Sequence, residues 1–259
     1  MIEPEFHWKD AKQFSWLQVF LAFAIPSAVG FFGFHYVLPE LHEGGMPAIV
    51  AWPLVASIML LPLTIVPVLM MKREATDLNI SLKARMCLKS LSGKEWLIAL
   101  GILIIGLIAA AGLGSLSAVW SEFSGLKVPE YFPFFLNPAI DPMTADPAAL
   151  TPGFVLKGAF WLVGLMLITL FLNILVEELY FRAWLLPKMQ NLSVTPWLVN
   201  GLAFAFYHIF QLWLLPQILP LSLLMAFVVY KTKSIWPVFI IHLLTNSLTG
   251  VAMFMLIMG

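Results

Sequence analysis

The sequence predicts an all-α fold, a polytopic transmembrane helical bundle, and three observations predict it. Apolar residues fill 61% of the 259 positions and charged residues only 11%, whereas a soluble domain carries nearer a quarter charged residues and under half apolar. Mean hydropathy is +0.93. The apolar residues fall into runs of about 20, enough to cross a hydrocarbon core of about 30 Å. This length suits a single membrane domain over 1–259, with about seven spans and six to eight as bounds. Residues 1–152 supply N-terminal spans and loops, and 153–259 supply the helices that bear the polar motifs.

Composition also narrows the partners. The formal net charge of zero gives no bulk attraction for a nucleic acid. Cys87 is the single cysteine, so no intrachain disulfide and no thiol-rich metal site is expected. Met1 to Ser15 contains Glu3, Glu5 and Asp10 and lacks the positive start and small-residue cleavage site of a signal peptide. Trp16–Leu38 is therefore expected to stay as the first span.

The second span is expected at Ile49–Met71, bent by Pro53, Pro62 and Pro67. Trp96–Val119 is the third, with Gly106, Ala110 and Gly114 forming a small-residue stripe for close helix packing. Ser121–Pro152 is Pro-rich and acidic. The fourth helix is expected from Phe154 to Leu186, a short fifth span from Trp197 to Phe210, and a sixth from Trp213 to Tyr230, interrupted by Pro216 and Pro220. Ile235–Met258 is the seventh. Trp16, Trp96 and Trp197 stand at span starts and read as interfacial anchors.

Basic residues set the expected orientation. Lys9, Lys12, the Lys and Arg residues of Lys72–Glu95, Lys188, Lys231 and Lys233 fall on one side of this arrangement, with Arg182 near it; Lys127 and Lys157 fall on the other. The positive-inside rule places the amino terminus in the cytoplasm of a plasma (inner) membrane. The polar motifs are then expected in a cavity opening toward the cytoplasm.

Those motifs begin at Val176-Glu177-Glu178-Leu179-Tyr180-Phe181-Arg182, where two carboxylates and a guanidinium close a long apolar run. A charge at the bilayer centre costs at least about 2.5–3.5 kcal/mol on insertion scales, so three need a reason. Glu178 and Arg182 are four apart and can pair on a helix, a structural role. Glu177 points about 100° away and is left free. Downstream stand His208, and His242 with Asn246 one turn later. A carboxylate and a neutral imidazole can bind and deprotonate a water. Two aligned donors opposite them can stabilise an oxyanion. Taken singly, His208 or His242 reads as a packing histidine and Asn246 as interhelical glue. Their coincidence near one face carries the hydrolytic reading.

Glu177-Glu178-x-x-x-Arg182, Phe204-x-x-x-His208 and His242-x-x-x-Asn246 resemble, complete and in order, the motifs of the CAAX protease and bacteriocin-processing (CPBP) family of intramembrane endopeptidases. The resemblance covers roughly Phe154 to Gly250. It implies a membrane protease in which Glu177 and His208 activate water, His242 and Asn246 form the oxyanion site, and Glu178 with Arg182 supports them. It implies a peptide or membrane-anchored protein as substrate, prenylated or bacteriocin-like. The family also carries the word metalloprotease. With no His-Glu-x-x-His in the chain, a zinc site would rest on Glu177, His208 and His242 as scattered ligands, and the metal-free glutamate mechanism is favoured. Buried carboxylates and broken helices also fit a proton-coupled transporter, though no internal repeat is visible. A catalytically inert immunity or scaffold member is the third reading.

Overall fold

The computed structural model describes residues 6–141 and 144–258; Glu3 and Glu5 lie outside them. Among the described residues the fold is helical, with seven principal helices. They are α1 (Trp16–Glu43), α2 (Ala48–Asp77), α3 (Gly93–Gly114), α4 (Phe160–Met189), α5 (Pro196–Tyr207), α6 (Ile209–Thr232) and α7 (Trp236–Met258). Five of these, α1 to α4 and α6, are long and apolar enough to cross a membrane. α5 has 12 residues, so at about 18 Å it is too short to cross alone.

Several boundaries move from expectation for local reasons. α4 begins at Phe160 rather than Phe154, because Gly153 and Gly158 hold positive φ (75° and 82°) and break the chain ahead of it. α2 stays one helix through Pro53, Pro62 and Pro67. α6 likewise continues through Pro220, while Pro216 sits in the first turn of its α-helical part, Leu215–Thr232, where a missing N–H costs nothing. α1 passes through a π-helical turn at Gly33–Val37 before ending at Glu43.

The small-residue stripe of α3 does face a neighbour. A Cβ on Gly106 would lie 3.1 Å from Leu224 of α6, and one on Gly114 would lie 3.6 Å from Gln217. α5 approaches α6 more closely still, since a Cβ on Gly201 would lie 2.8 Å from the Leu223 Cα. α2 packs along α4, and the Thr169 hydroxyl donates to the Pro53 carbonyl across that contact (3.0 Å).

Long-range contacts gather most of the basic residues at one end. Phe14 N–H donates to the Lys188 carbonyl (2.8 Å). Lys233 Nζ lies 3.7 Å from the Trp8 ring centroid. The Ser234 hydroxyl donates to the Lys89 carbonyl (2.7 Å). At this end Arg85 and Lys188 both bind the Glu74 carboxylate. The segment after α3 closes the other end: Trp120 Nε1 donates to Leu212 and Trp213 Nε1 donates to Leu136, each at 2.9 Å.

Candidate active site

The first motif does not lie on an ordinary α-helix. α4 is α-helical from Phe160 to Val176 and π-helical from Glu177 to Leu185. The Leu186 N–H therefore reaches back five residues to the Phe181 carbonyl, a register that recurs at functional sites. Around this segment Phe181 stacks on Phe23 of α1 with centroids 5.2 Å apart, and the Tyr180 hydroxyl donates to the Ala22 carbonyl (2.8 Å).

The π register changes the partners expected for the motif. Glu178 and Arg182 make no hydrogen bond or ion pair with one another among the described residues, because four residues no longer complete a turn. Glu178 instead accepts from His242 Nδ1 through Oε1 (2.9 Å). Arg182 is fully buried, and among the described residues none of its three guanidinium nitrogens has a hydrogen-bond partner. Its guanidinium carbon lies 4.1 Å from the centroid of Phe204, so the cation rests on the residue that opens the second motif.

Glu177 does meet both histidines. Its Oε1 lies 3.5 Å from His208 Nε2 and its Oε2 lies 3.5 Å from His242 Nε2. All three side chains are buried, Glu177 at 4% exposure and each histidine at 8%. His208 caps the end of α5, with Nδ1 3.0 Å from the Phe204 carbonyl. A carbonyl only accepts, so Nδ1 carries the proton and a neutral His208 turns a lone pair on Nε2 toward Glu177.

These residues stand at the inner end of a cavity of about 840 Å³. Glu177, His208, His242 and the half-buried Asn246 all line it. Its walls are mainly apolar, with Met59, Leu60, Met166, Leu170, Met225 and Met253 among them. The cavity runs away from the basic end. On α4 its lining extends from Glu177 back to Val163, and on α7 from His242 forward to Ile257, reaching Phe135 and Pro138 in the closing segment. α4 continues 12 residues past Glu177 to Met189, beyond the expected end at Leu186.

Zinc holds its nitrogen and oxygen ligands at about 2.0–2.2 Å in a tetrahedron. Among the described residues no group of three or more His, Cys, Asp or Glu side chains is arranged to hold a metal ion, Glu177, His208 and His242 included. Arg182 is an electrostatic neighbour of Glu178 first and of Glu177 second.

The spacing of the motifs did not reveal every contributor. Asn173 lines the cavity one turn before Glu177, and Gln211 lines it three residues after His208. Asn200 is fully buried, and its Nδ2 donates to the Phe181 carbonyl (2.9 Å). A lone amide in an apolar run was the available signal for Asn173 and Asn200.

The fold and the site together define a polytopic helical membrane protein with a buried glutamate and two histidines at the inner end of an apolar cavity. Residues 159–248 match the family model described as Type II CAAX prenyl endopeptidase Rce1-like. That stretch contains all seven motif residues, and at family level it supports a CAAX-type intramembrane protease. No curated protein and no solved structure matches the chain.

Proposed function

We propose that the chain is an intramembrane endopeptidase in which Glu177 and His208 activate a water for attack on a peptide carbonyl. The observation that carries this reading is the position of Glu177, buried between two imidazole Nε2 atoms at 3.5 Å each and facing the cavity. As the water oxygen bonds to the carbonyl carbon, its proton passes to Glu177. The developing oxyanion accepts from Asn246 Nδ2 and His242 Nε2. Collapse breaks the C–N bond, and the proton held by Glu177 goes to the leaving amine.

His242 can serve as an oxyanion donor in one protonation state. Its Nδ1–H donates to Glu178, so Nε2 donates as well only when the ring is an imidazolium. With Arg182 and an imidazolium opposite Glu177 and Glu178, the buried cluster balances two positive against two negative charges. Glu178 therefore acts through His242, and Arg182 through Phe204 and the charge balance.

The family match favours a prenylated, membrane-anchored protein as substrate, and the methionine- and leucine-lined walls suit a lipid-modified peptide. The positive-inside rule puts the amino terminus and basic end in the cytoplasm, with the cavity reaching toward the opposite face. Cleavage of a farnesylated peptide in detergent, wild type against Glu177→Gln, tests the assignment; equal turnover would overturn it. Activity is expected to survive extensive chelation and dialysis. A loss restored by stoichiometric zinc would show a metal mechanism instead.

A further inference from the structure

We infer that Arg85 is a positioning residue that fixes the register of the π segment carrying Glu177 and Glu178. The inference rests on Glu177 being the reacting carboxylate. Arg85 lies between α2 and α3, in the short turn Leu82–Arg85, and is fully buried. Its Nη1 donates to the Ala183 carbonyl (2.8 Å) and its Nη2 to the Trp184 carbonyl (3.3 Å), both within the π segment. Its Nε donates to Glu74 Oε2 (2.7 Å), and Lys188, at the end of α4, binds the other oxygen of the same carboxylate.

The need for an outside donor is written into the chain. An α turn would give the Ala183 carbonyl no backbone donor, since residue 187 is Pro187, and in the π turn Arg85 Nη1 donates to it. A buried carbonyl without a donor is costly, and Arg85 supplies one. The fork of a guanidinium spans two adjacent carbonyls, which an ammonium does not reproduce. Asn200 holds the Phe181 carbonyl from another side. A slip of this segment by one residue would turn Glu177 by about 100°, away from His208 and His242, and would remove Ala183 and Trp184 from Arg85. Arg85 thus acts on the carboxylates through the backbone that bears them, from outside the cavity lining.

The test uses the purified full chain with Arg85→Met and Arg85→Lys, steady-state cleavage of a farnesylated peptide, and hydrogen exchange. Arg85→Met should lower kcat on the order of a hundredfold, as a misplaced reacting group does, with KM within about twofold. Arg85→Lys should recover part of kcat. Exchange in residues 177–189 should quicken by about tenfold while the rest of the chain keeps its protection. Wild-type kcat in folded Arg85→Met, or faster exchange throughout the chain, would overturn the inference. Should Arg85→Met not fold, Glu74→Gln gives the milder form of the same pattern, and its absence there would also overturn it. A wild type without Glu177-dependent cleavage would defeat the functional reading alone, since exchange in 177–189 still decides what Arg85 holds.

Discussion

Two buried ionic clusters sit in this bundle, and they are built differently. At the basic end Glu74 meets Arg85 at 2.6 Å and Lys188 at 2.5 Å, and the remaining Arg85 donors end on carbonyls. At the centre Glu177 stands 3.5 Å from each imidazole, and among the described residues Glu178 Oε2 and the three Arg182 nitrogens have no hydrogen-bond partner. Closed bonds make the first cluster a brace. Unused hydrogen-bonding capacity in a buried site costs stability, and under the proposed function that cost is carried by the cluster around Glu177 rather than by the brace.

The largest expected effect separates the two clusters by activity. Glu177→Gln should lower cleavage by roughly a thousandfold, within the range for losing a general base, while thermal melting in detergent stays at the wild-type value or above. Asn246→Ala should cost on the order of a hundredfold in kcat, as for a lost oxyanion donor. Wild-type kcat in that variant would remove Asn246 from the site.

Stability should respond in the opposite order. Glu74→Ala leaves two buried cations without their counter-ion and should destabilise the fold by about 3 kcal/mol, read as a lower melting temperature. If Glu74→Ala melted like the wild type and Glu177→Gln did not, the contrast between brace and site would be reversed.

Side-specific labelling tests which face each end occupies. Cysteines placed at Lys83 and Lys127 in sealed vesicles should label from opposite sides, Lys83→Cys from the cytoplasmic side. Labelling of Lys83→Cys from outside alone would invert the topology.

The smallest effect belongs to Lys233, at the basic end. Burial against Trp8 and Tyr230 lowers its pKa to about 8 from the usual 10.5. Between those values the unfolded chain holds a proton that the folded chain has released. Stability should therefore rise slightly as pH increases from about 8 to 10.5. Lys233→Met should abolish that rise, and an unchanged pH profile of melting would remove Lys233 as its source.

Much of this was legible in the residues. Membrane class, the succession of helices and the α3 stripe follow from composition and spacing, properties that add up locally along a chain. The motifs likewise named Glu177, His208, His242 and Asn246 of the cavity lining, because a charge or an amide in an apolar run stands out against its neighbours. Partners and register were another matter. Glu178 was expected to pair four residues away with Arg182 and instead meets His242, 64 positions on. Arg85 read as one more loop cation and reaches the Ala183 carbonyl 98 positions away. An α-helix and a π-helix differ by one residue per hydrogen-bonded turn, too little for local preference to decide. On the inference drawn for Arg85, the choice fell to side chains arriving from elsewhere in the fold, and with it the direction in which Glu177 points.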